Sequence, residues 1–71
     1  MLTKEEFINK VVEDVRKDRE DIISEARVRD CIKENSAWVD EKYNKYINDE
    51  NVERHEDYWI SGLAVMIDMD M

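Results

Sequence analysis

The chain has no proline and a single glycine, Gly62, in 71 residues. These residues are the strongest local interrupters of a helix, so turns must come from Asn, Asp and Ser, and helix is the default state. A chain of this length without a shift in composition is one domain, residues 1–71. The expected fold is all-α, a small three- or four-helix bundle. A domain so short buries only about 60% of the surface its unfolded chain exposes. Dimerisation is therefore a natural way to complete its core.

Helix boundaries follow from capping residues and apolar spacing. Thr3 with Glu6 three residues on forms a capping box, and Leu2 and Phe7 occupy the positions of a hydrophobic staple, so the first helix starts at Lys4. Phe7, Ile8, Val11, Val12, Val15, Ile22 and Ala26 share one face of a wheel, which predicts a helix to about Ala26. Val28, Cys31 and Ile32 then move to the opposite side, which places a bend near Arg27. A competing break lies at Asp18, which could cap a helix starting at Arg19. Asn35-Ser36 reads as a stop and restart, with a third helix from Ala37 to about Ile47 that carries Trp38, Val39, Tyr43, Tyr46 and Ile47 on a broad apolar side. After the polar turn Asn48–Asn51, Asp49 or Asn51 caps a fourth helix. Its stripe is Val52, Trp59, Ile60, Leu63, Met66 and Ile67. The tail Ile67-Asp68-Met69-Asp70-Met71 alternates apolar and acidic residues, the period of a strand, and reads as frayed or as an edge-pairing strand.

Charge is the composition figure that points outward. Nineteen acids against eleven bases give a net charge of −8. Residues 1–35 hold ten acids and eight bases, whereas residues 36–71 hold nine acids and three bases, so the halves carry −2 and −6. Such a field repels nucleic acid and anionic membranes and attracts basic protein surfaces. The first sixteen residues lack the unbroken apolar core of a signal peptide. The longest nearly uncharged run, Tyr58–Ile67, is far short of the roughly 20 residues that span a bilayer. With one cysteine, Cys31, and no internal disulfide available, a reducing, cytoplasmic setting is expected.

No catalytic constellation emerges. His55 stands among Glu53, Glu56 and Asp57, but on a helix these side chains diverge, and there is no second histidine at zinc-ligand spacing. Cys31 beside Ile32 reads as a small core residue rather than a nucleophile. Asp68 and Asp70 resemble the opening of a calcium loop without its glycine and closing glutamate. Glu53-x-x-Glu56-Asp57 has a spacing used by magnesium-binding helices, yet no second helix matches it. The chain is read as a non-enzyme that needs no metal or cofactor.

Binding remains, and two features compete to define the surface. One is the acidic group Asp49, Glu50, Glu53, Glu56 and Asp57, flanked by Asp40 and Glu41. Its plain reading is a solvated helix end, and its sharper one is a mimic of nucleic-acid phosphates. The other is a surplus of large apolar groups, of which Tyr58 and Val65 fall outside the fourth stripe, with Trp59 and Met69 beside them. Its plain reading is core closure. The leading expectation is a small acidic protein-binding regulator, such as a phage or mobile-element inhibitor of a host nucleic-acid enzyme, whose partner presents a basic surface. The alternative is a structural helical homodimer or assembly subunit.

Overall fold

The computed structural model describes residues 1–71 and contains four helices and no strand: α1 (Lys4–Asp18), α2 (Glu25–Glu34), α3 (Ser36–Ile47) and α4 (Val52–Asp70). The capping box forms as the sequence predicts. The Thr3 N–H donates to Glu6 Oε1 at 2.9 Å, and the Glu6 N–H donates to Thr3 Oγ1 at 3.2 Å. The Thr3 backbone N–H, and after it the Thr3 hydroxyl, draw the Glu6 carboxyl below its ordinary range.

The first helix does not reach Ala26. It ends at Asp18 in a Schellman motif, with the Asp21 N–H donating to the Arg16 carbonyl at 2.8 Å and the Glu20 N–H to the Lys17 carbonyl at 3.1 Å. Glu20 and Asp21 have φ of 54° and 60°, the left-handed region that normally selects glycine. The break thus falls at Asp18 and not near Arg27, which is inside α2, but no helix restarts at Arg19. Ser24 caps α2, its Oγ accepting from the Arg27 N–H at 3.2 Å. Ile22, placed on the buried stripe by its spacing, is consequently 86% exposed, and Ala26 is exposed too. The Arg16 guanidinium closes this turn by donating to the Ile23 carbonyl at 3.1 Å.

Between α2 and α3 the restart occurs at Asn35, whose carbonyl accepts the first two bonds of α3 from Trp38 and Val39. Asn35 is not left-handed (φ −114°), and Ser36 is the first helical residue rather than a cap. The tail is a second correction, because α4 continues through Asp68 and Met69 to Asp70 instead of becoming a strand. The helical period buries Ile67, whereas the alternating reading treated Ile67, Met69 and Met71 alike. Arg19 and Asn35 hold this last turn: Arg19 Nε donates to Asp68 Oδ1 at 2.6 Å, and Asn35 Nδ2 donates to Asp70 Oδ2 at 2.8 Å.

The most extensive packing is between α1 and α4, with α2 and α3 closing the sides. Thirteen residues are buried, all hydrophobic, including Phe7, Val11 and Val15 of α1, Val28 of α2, Tyr46 of α3 and Leu63 and Ile67 of α4. Phe7 stacks on Tyr46 with ring centroids 4.9 Å apart and lies tilted against Tyr43 at 5.5 Å. Both tyrosines also clamp the start of the chain. The Leu2 N–H donates to Tyr46 Oη at 2.8 Å, and the Tyr43 hydroxyl donates to the Leu2 carbonyl at 3.0 Å. No buried side-chain nitrogen or oxygen lacks a partner.

Candidate functional site: the outer face and amino end of α4

The turn before α4 is organised by one carboxylate. Asp49 Oδ1 accepts the Asn51 N–H at 2.8 Å, while Oδ2 accepts the Trp59 indole N–H at 2.8 Å and lies 2.8 Å from His55 Nδ1. The Asp49 side chain is only 13% exposed. Its carboxyl is held below the ordinary range, first by the indole donor and then by the Asn51 N–H and His55. Asp49 thus bridges the turn to residues about one and two turns into α4, and Asn51 itself makes no side-chain cap.

Glu56 is likewise turned inward and accepts the Tyr46 hydroxyl at 3.0 Å. Burial, together with the neighbouring Glu56 carboxylate, pushes the Tyr46 phenol up. Trp59 is half-buried against the core. Of the nine residues singled out for partner binding, Asp49, Glu56 and Trp59 therefore serve the fold. Asp40 and Glu41 are occupied as well, by Lys4 and by Lys45 respectively.

What stays in solvent forms two sets. Glu50, Glu53 and Asp57 are exposed and make no ion pair within the chain. Asp57 borders a groove between α1 and α4 that is also lined by Glu13, Asp14, Lys10 and Lys17. The second set is apolar. Tyr58, Val65 and Met69 are 71%, 52% and 82% exposed on the side of α4 opposite its buried residues, and Trp38 of α3 stands beside Met66 and Met69 at 40% exposure. The wheel places Tyr58 and Val65 outward, and there they lie. Trp38 was assigned to the buried side of α3. Its position one residue before the fully packed Val39 carries it to the rim, where it adjoins the end of α4.

His55, Glu53, Glu56 and Asp57 do not converge, and no three His, Cys, Asp or Glu side chains approach one another as metal ligands would. Cys31 is buried, and burial and the Asp70 carboxylate, 3.6 Å from its sulfur, raise its pKa so that it stays a thiol. No helix is long and apolar enough to cross a membrane. Compared with known protein families, curated proteins and solved structures, the chain matches none.

Proposed function

We propose that this is a small protein-binding regulator whose exposed carboxylates at the amino end of α4 engage a basic surface of a partner protein. One observation carries the reading. Glu50, Glu53 and Asp57 remain unpaired in solvent, and the adjacent Asp49 and Glu56 are hydrogen-bonded into the frame that holds them. Carboxylates on a braced helix end lose little freedom on binding, and a net charge of −8 steers a cationic surface toward them. An inhibitor from a phage or other mobile element, seated in the phosphate-binding groove of a nucleic-acid enzyme, is the particular form that this charge favours.

The test is affinity capture from a lysate with the native chain and with a variant carrying Glu50→Lys, Glu53→Lys and Asp57→Lys. Circular dichroism first verifies that the variant remains helical. The native chain is expected to retain a partner that elutes as salt rises, and the variant to lose it. Retention of the same partner by the variant, at the same salt, contradicts the proposal.

A further inference from the structure

We draw no further inference here: the strongest candidate, the exposed apolar row of α4 formed by Tyr58, Val65 and Met69 beside Trp38 of α3, is an unpartnered helix face, and nothing in the structure shows what covers it.

Discussion

Asp49 shows how one side chain can change the meaning of its neighbourhood. In an acid-rich turn it looks like one more solvated charge, but its two oxygens meet an indole, a backbone N–H and an imidazole. Those donors favour the carboxylate, so the carboxyl is lowered in the folded chain. A carboxyl depressed on folding adds stability above its unfolded pKa of about 3.9, and this is lost as pH falls through the lower folded value. Acidification below about pH 4 should therefore loosen the turn at Asp49 as its own carboxyl takes up a proton, which its donors delay to lower pH. In a Trp38→Phe chain, where Trp59 is the sole indole, fluorescence should report that change. Asp49→Asn should remove the acid-dependent step and lower the melting temperature at neutral pH; an unaltered acid response in Asp49→Asn would refute this role.

At the scale of elements, the legible features were those written in local spacing. The capping box at Thr3 and Glu6, the buried faces of α1 and α4, and the outward Tyr58 and Val65 all follow from periodicity. The end of α1 at Asp18 was only one of two readings of the spacing, because its Schellman turn is built on Glu20 rather than on glycine or asparagine. The tail was misread because two periods compete over five residues, and the bonds from Arg19 and Asn35 that favour the helix come from distant parts of the chain. The acidic site was half legible. Exposed carboxylates are visible in composition, but the inward turn of Asp49 and Glu56 depends on Trp59 and Tyr46 being brought within reach by folding.

The two misplaced glycine positions make the same prediction for the single chain. Glu20→Gly should stabilise the chain by about 1 kcal/mol by relieving a left-handed residue. Gly62→Ala should also add about 1 kcal/mol to the dilute single chain, since the new methyl enters open space. Chemical denaturation measures both; a Gly62→Ala chain less stable than the native one would contradict the open space beside that position.

As a whole molecule, the protein divides its large apolar residues between two faces of one helix. Thirteen apolar residues close a bundle with no unpartnered buried polar side-chain atom. The same helix that contributes Leu63 and Ile67 to that core presents Tyr58, Val65 and Met69 on its far side. One helix thus has an inner face that makes the domain and an outer face left in solvent, with the free carboxylates at its amino end.

The inner face of α4 is the core of the bundle, and its outer face stands in solvent. Methyl NMR spectra of Met- and Val-labelled protein, recorded with a soluble paramagnetic probe, test this most directly. The methyls of Val65 and Met69 are predicted to broaden, and those of the buried Val11, Val15 and Val28 to stay sharp. Val65 and Met69 methyls that the probe does not reach, or broadening of the buried valines, would contradict it.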